Sequence, residues 1–221
     1  MPPLEIIVLD TLFVRALGGG GNLDSWPFAV LLKRVPAAFA EPVVIGRFAD
    51  VRSFIEAGRN LVDRGAVALT TTCGFLVRHQ RQLQNTFAVP ALSSTLTQFA
   101  RLQAALSARR VAILTIDAGS LDSAVRAAAG IPHDALVFAL ARNSHFVSAI
   151  LSGNVALDIA HAGTEGVNLA LSCQRQHPNI GLWLFECANM PPFAAAVMRA
   201  TGLPVYDVLT LGRELHAKAT A

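Results

Sequence analysis

Ala66-Val67-Ala68-Leu69-Thr70-Thr71-Thr72-Cys73 is an apolar run of strand length that ends in a cysteine, and Gly181-Leu182-Trp183-Leu184-Phe185-Glu186-Cys187 repeats the pattern. Each run leads into a helical pattern, and each cysteine stands 17 residues before a proline, Pro90 and Pro204, that opens another short strand. The preceding segments echo as well, since Ile6–Asp10 and Ala112–Asp117 are strands that end near an aspartate. That aspartate lies 63 residues before its cysteine in the first half and 70 in the second. Repetition on this scale predicts two similar lobes, each with a cysteine at the carboxyl end of a strand.

Outward from the echo, β-rich runs alternate with helical ones. Glu5–Asp10, Pro42–Arg47, Ala66–Thr71 and Val89–Ser93 read as strands in the first half, and Arg110–Thr115, Ala135–Leu140, Gly181–Phe185 and Pro204–Val208 in the second. Helical spacing fills Val51–Arg64, Gly74–Thr86, Thr95–Ala108, Ser120–Ala129, Ser144–Leu151, Val155–His177 and Pro192–Thr201. Strands apolar on both faces that alternate with helices imply parallel sheets with right-handed crossovers. The fold class is therefore α/β, built as two pseudo-symmetric flavodoxin-like lobes with a cleft between them.

Composition excludes several functions. Of 221 residues, 53% are apolar and 15% charged, enough to bury a sizeable core. The net charge of +3 is small and Arg109-Arg110 is the longest basic run, so no basic stripe for nucleic acid is expected. The first apolar run, Leu4–Leu9, holds Glu5 and ends at Asp10, too short and too acidic for a secretion signal. No run approaches the roughly 18 apolar residues of a membrane span. Three cysteines that cannot all pair within the chain point to free thiols and a cytoplasmic setting. The six histidines show no paired spacing, so no metal site is expected. Gly18–Gly21 lacks a following Gly-Lys-Ser/Thr and does not read as a phosphate cradle.

Position makes Cys73 and Cys187 chemically interesting. Parallel sheets bind ligands at the carboxyl ends of their strands, and a helix N-terminus there favours a thiolate. Facing lobes would set the two thiols on opposite walls of one cleft. Cys173 falls within a helical run and reads as packing.

The segments Thr70-Thr71-Thr72-Cys73-Gly74-Phe75-Leu76 and Phe185-Glu186-Cys187-Ala188-Asn189-Met190-Pro191-Pro192 resemble the two cysteine motifs of the aspartate/glutamate racemase superfamily. That superfamily also holds hydantoin racemases, maleate isomerases and arylmalonate decarboxylases. The resemblance covers nearly the whole chain. It implies cofactor-free proton transfer at a carbon beside a carboxylate, with one cysteine as base and the other as acid on the opposite face. It also implies a lobe of residues 1–95 plus 208–221 carrying Cys73 and a lobe of 96–207 carrying Cys187.

Carried over residue by residue, the resemblance makes Thr72, Gly74 and the Phe75 amide the first-lobe donors to a substrate carboxylate. Ala188, Asn189 and Thr115 are the second-lobe counterparts. Gly18–Gly21 and Asn22 match a substrate-facing loop, and Asp10 sits where some members place an acidic helper. The expected partner is a small carboxylate or amino acid, with a homodimer left open. Where members often have Asn-Thr after the first cysteine, and Thr followed by an acid or His after the second, this chain has Gly74-Phe75 and Ala188-Asn189. These departures leave the substrate open; cysteine at both strand ends makes racemisation the leading expectation, beside isomerisation, decarboxylation, or a small-acid binding module without turnover.

Overall fold

The computed structural model describes residues 2–11, 13–48, 50–153 and 156–221. Its strands are β1 (Leu4–Leu9), β2 (Val30–Val35), β3 (Ala68–Thr71), β4 (Ala91–Leu92), β5 (Arg110–Thr115), β6 (Leu136–Ala139), β7 (Ile180–Phe185) and β8 (Val205–Tyr206). They form two parallel sheets of identical topology, β2-β1-β3-β4 and β6-β5-β7-β8. The helices are α1 (Ala40–Val44), α2 (Val51–Val62), α3 (Gln80–Thr86), α4 (Phe99–Ala104), α5 (Ser123–Ala129), α6 (His145–Ser152), α7 (Ile159–Gln176), α8 (Ala194–Thr201) and α9 (Val208–Ala219). The long helix expected from Val155 begins at Ile159, and Val155 itself lies outside the described residues.

Each sheet reverses its strand order beside its first strand, so the crevice of each lobe opens at the carboxyl ends of β1/β3 and of β5/β7. Pairing is in equivalent register, with Ile7 opposite Thr71 in the first lobe and Leu114 opposite Phe185 in the second. Every residue of β1, β3 and β7 is buried, as strands covered on both faces require. Alternate residues of β1 serve two cores: Ile7 and Leu9 join the large one, while Leu4, Ile6 and Val8 pack with Trp26 and with Leu215 of α9.

One expected strand is a helix. Pro42–Arg47 contributes to α1, where Pro42 occupies the first turn and needs no N–H, and Gly46 at φ +73° ends the segment. The missing fourth strand is Val30–Val35, an edge strand whose Lys33 and Arg34 point to solvent.

Candidate active site

Cys73 follows β3 and Cys187 follows β7 two residues after the strand ends, so the register places both at the mouth of their crevices. They line one cavity between the lobes, with Leu9, Phe13, Arg15, Thr72 and Val44 on one side and Ile116, Ile150, Glu186 and Asn189 on the other. Its free volume is about 20 Å3, room for about one water. It adjoins a wider depression of about 270 Å3 that shares Thr11, Phe13, Ala40 and Ile150 with it and opens outward past Phe39 and Glu41.

Both thiols are buried, Cys73 at 5% and Cys187 at 7% exposure. Burial first, and then the Glu186 carboxylate, push the Cys187 thiol up to about 12 and the Cys73 thiol higher still. This overturns the expectation of thiolates at helix N-termini. The helix after Cys73 is a short 3-10 turn, Gly74–His79, and desolvation outweighs its dipole. Donors do face each sulfur: the Phe75 and Leu76 amides at Cys73, and at Cys187 the Asn189 amide and its Nδ2, the latter 3.7 Å away. Arg15 favours the Cys187 thiolate further.

Arg15 and Glu186 were not anticipated from the sequence. Arg15 reaches the cavity from the loop after β1, its Cζ 5.6 Å from the Phe13 ring centroid and its Nη2 donating to the Leu9 carbonyl at 3.3 Å. Its Nη1 is buried without a hydrogen-bond partner, and its charge couples to both thiols. Desolvation lowers the guanidinium to about 10, so it stays cationic at neutral pH. Glu186 lines the cavity beside Cys187. Thr115 Oγ1 donates to its Oε2 at 2.9 Å, the Ile116 N–H at 3.5 Å, and the Gly74 N–H also points at it. Burial raises Glu186 to about 7, with Asp117 adding to the shift.

The other expected residues divide. Thr72 lines the cavity and accepts the Leu9 N–H at 3.3 Å, and Asn189 lines it beside Cys187. Gly74 spends its amide on Glu186, and a Cβ there would collide with that carboxylate. Thr115 is Glu186's donor and does not line the cavity. Ala188 fastens the glycine loop by accepting the Gly20 N–H at 2.8 Å. Asn22 holds the same loop closed, its Nδ2 donating to the Arg15 carbonyl at 2.9 Å. The glycine run therefore carries Arg15 inward: a Cβ on Gly21 would stand 2.5 Å from Arg15 Cδ. Asp10 turns away to the depression, where it accepts from the Ala37 amide at 2.8 Å and meets Arg34 at 3.2 Å. Cys173 is buried in the large core, as expected of packing. Among the described residues no group of three His, Cys, Asp or Glu is placed to hold a metal, and no helix is long and apolar enough to cross a membrane.

Solved structures share the fold that carries this site. Unliganded arylmalonate decarboxylase superposes with a TM-score of 0.66 at 16% identity, over 100% of this chain and 93% of that one. An aspartate racemase homologue from Pyrococcus horikoshii gives 0.61 at 14% identity over 100% of both chains. The fold is that of the aspartate/glutamate racemase superfamily. Glutamate racemase from Bacillus anthracis gives 0.63 at 13% identity over 99% of this chain and 82% of the racemase. No family model matches the chain. In sequence it is similar to a dimethylsulfoniopropionate lyase from Durusdinium, at 27% identity over 93% of this chain and 71% of the lyase. Dimethylsulfoniopropionate lyase 3 of Emiliania huxleyi is 28% identical over 95% of this chain, which spans only 57% of that protein. The sequence relatives are thus named for a lyase activity, whereas the structural neighbours are named as racemases and a decarboxylase.

Proposed function

We propose that this chain is an enzyme that removes the proton beside a carboxylate without a cofactor, and that its reaction is the elimination of dimethyl sulfide from dimethylsulfoniopropionate. The carrying observation is the cavity itself, where two strand-end thiols flank the half-buried Arg15, whose Nη1 is buried and unpartnered. An acid of this kind has acidic hydrogens on the carbon between its carboxylate and the carbon bearing sulfonium. Arg15 anchors the carboxylate and stabilises the enediolate that forms when the α-proton leaves. Cys187 is the base, because Asn189 and Arg15 make its thiolate the easier of the two to form. The electron pair left on the α-carbon becomes the double bond, the carbon–sulfur bond breaks, and acrylate and dimethyl sulfide depart. The proton stays on Cys187 until water removes it. The names of the sequence relatives support this outcome over others open to the same proton abstraction.

A second reading, racemisation of a small carboxylate or amino acid, is favoured by the presence of a cysteine on both walls. The two readings part after the first step. A racemase needs a second thiol to return a proton to the opposite face, whereas a lyase loses its leaving group instead. Proton NMR in D2O tests both on the purified chain. Equimolar acrylate and dimethyl sulfide from dimethylsulfoniopropionate, unaffected by EDTA, is the expected result. Deuterium incorporation into an amino acid or dicarboxylate, with no cleavage of the sulfonium compound, would replace the lyase by the racemase.

A further inference from the structure

Glu186 occupies a place that does not require a charge. By register it is the second-lobe equivalent of Thr72, since the Thr72 amide donates to Ile7 at 3.0 Å and the Glu186 amide to Leu114 at 2.9 Å. Both side chains then cap the neighbouring strand: Thr72 accepts the Leu9 N–H, and Glu186 the Ile116 N–H. A neutral hydroxyl caps the strand in one lobe, so capping alone does not account for the charge of the carboxylate in the other. It borders the cavity, and among the described residues no ion pair includes it. The protein thus keeps an unpaired anion at one side of the thiols and, in Arg15, an unpaired cationic Nη1 at another.

We propose that Glu186 is the receptor for the cationic end of a zwitterionic substrate and that it selects onium groups, sulfonium or quaternary ammonium, over primary ammonium. The proposal rests on the carbon-acid reading of the cavity and adds the substrate's second recognition element. Three protein donors already converge on the carboxylate, and the remaining walls beside it include Leu9, Phe13, Val44 and Ile150. A primary ammonium brings three N–H donors that would give up water for little in return. An onium group has no donor to satisfy. It needs charge and apolar surface, and the cavity offers both.

Protonation supplies an internal check. Burial first and Asp117 last raise Glu186 to about 7, against the Thr115 hydroxyl and the Ile116 and Gly74 amides, and the Cys73 and Cys187 thiols that face it are themselves held protonated. A bound cation favours the carboxylate, so onium affinity falls as pH drops below 7, approaching tenfold per pH unit.

Calorimetric titration of the full chain with three probes tests the proposal: 3-(trimethylammonio)propionate, 3-(methylthio)propionate and β-alanine. The onium probe should bind about tenfold or more tighter than the other two, a gap of roughly 1.4 kcal/mol. Glu186→Gln should erase that preference while leaving 3-(methylthio)propionate unchanged. If the variant does not fold, the wild-type pH series decides, because only the onium probe should weaken below pH 7. Absent or pH-independent onium binding, equal binding of β-alanine, or an undiminished preference in Glu186→Gln would each overturn the proposal. The lyase reading fails separately, as no dimethyl sulfide released while the onium preference stands.

Discussion

The two lobes share topology, register and a cysteine at the same strand end, yet they contribute different chemistry to the cavity. The first lobe places a neutral cap, Thr72, before its cysteine and sends a long loop after β1 that returns Arg15 over the site. The second lobe replaces the cap by Glu186 and follows β5 with a 3-10 turn, Ala118–Ser120, and the helix α5. Duplicated architecture therefore fixes where the thiols stand, while single residues at equivalent positions set their charge environment. A symmetric scaffold here carries an asymmetric electrostatic field, which suits a reaction that needs one base more than a pair of interchangeable ones.

The sharpest way to break that comparison is to remove each thiol in turn. Cys187→Ser should lower dimethyl sulfide release by about 10³-fold, within the range expected for a missing general base. Cys73→Ser should retain roughly a tenth or more of the activity, since elimination needs no second proton donor. Equal, complete losses in both variants would restore the symmetric two-base scheme.

Among the described residues that line the cavity, the second lobe offers no cation to match Arg15. Arg15→Met should cost about 10²-fold in kcat/KM, chiefly through KM, as expected for losing a charge-assisted carboxylate contact in a dry site. Steady-state kinetics showing KM unchanged would place the carboxylate elsewhere.

Gly74 and Ala188 are equivalent too, each following its cysteine, but only Gly74 faces a large acid across the lobes. Gly74→Ala should destabilise the fold by roughly 1–3 kcal/mol through overpacking against Glu186. The double variant with Glu186→Thr should recover most of that loss, and thermal denaturation of the four-member cycle measures it. Additive losses would mean that Gly74 answers to backbone geometry instead.

The smallest effect concerns the two central strands. β1 carries Glu5, buried with neither oxygen hydrogen-bonded, where β5 has Ala112 at the equivalent register. Burial raises Glu5 to about 8 against its ordinary 4.5, with Arg64 opposing. The unfolded chain therefore releases this proton first, so stability should decline as pH rises from 4.5 toward 8 and then level. Glu5→Gln should lessen the slope of melting temperature against pH between 4.5 and 7, where Glu186 still contributes, and remove most of it between 7 and 8.

What could be read from the sequence was whatever repeats. The strand-cysteine echo gave both lobes and both thiols because spacing survives folding unchanged. Val30–Val35 was harder, since an edge strand tolerates Lys33 and Arg34, and the run Pro42–Arg47 imitates the missing strand by composition. Arg15 has no local signal at all; its burial depends on Gly21 leaving space and on Ala188 pinning Gly20 from the other lobe. Glu186 did leave a trace, an acid inside Gly181-Leu182-Trp183-Leu184-Phe185-Glu186-Cys187 where strand burial alone would put an apolar residue. The thiol energetics were unreadable for a different reason: a helix end is local and visible, whereas desolvation by the opposite lobe is neither.

The shut cavity has a bearing on chemical durability. Oxidants attack thiolates that water can reach, and at rest both cysteines are protonated and walled off. An arriving onium would offset the negative field of Glu186, so substrate binding is also what makes the sulfur easier to ionise. Peroxide should therefore spare the idle protein and inactivate it in proportion to turnover, which makes catalysis the moment of greatest vulnerability.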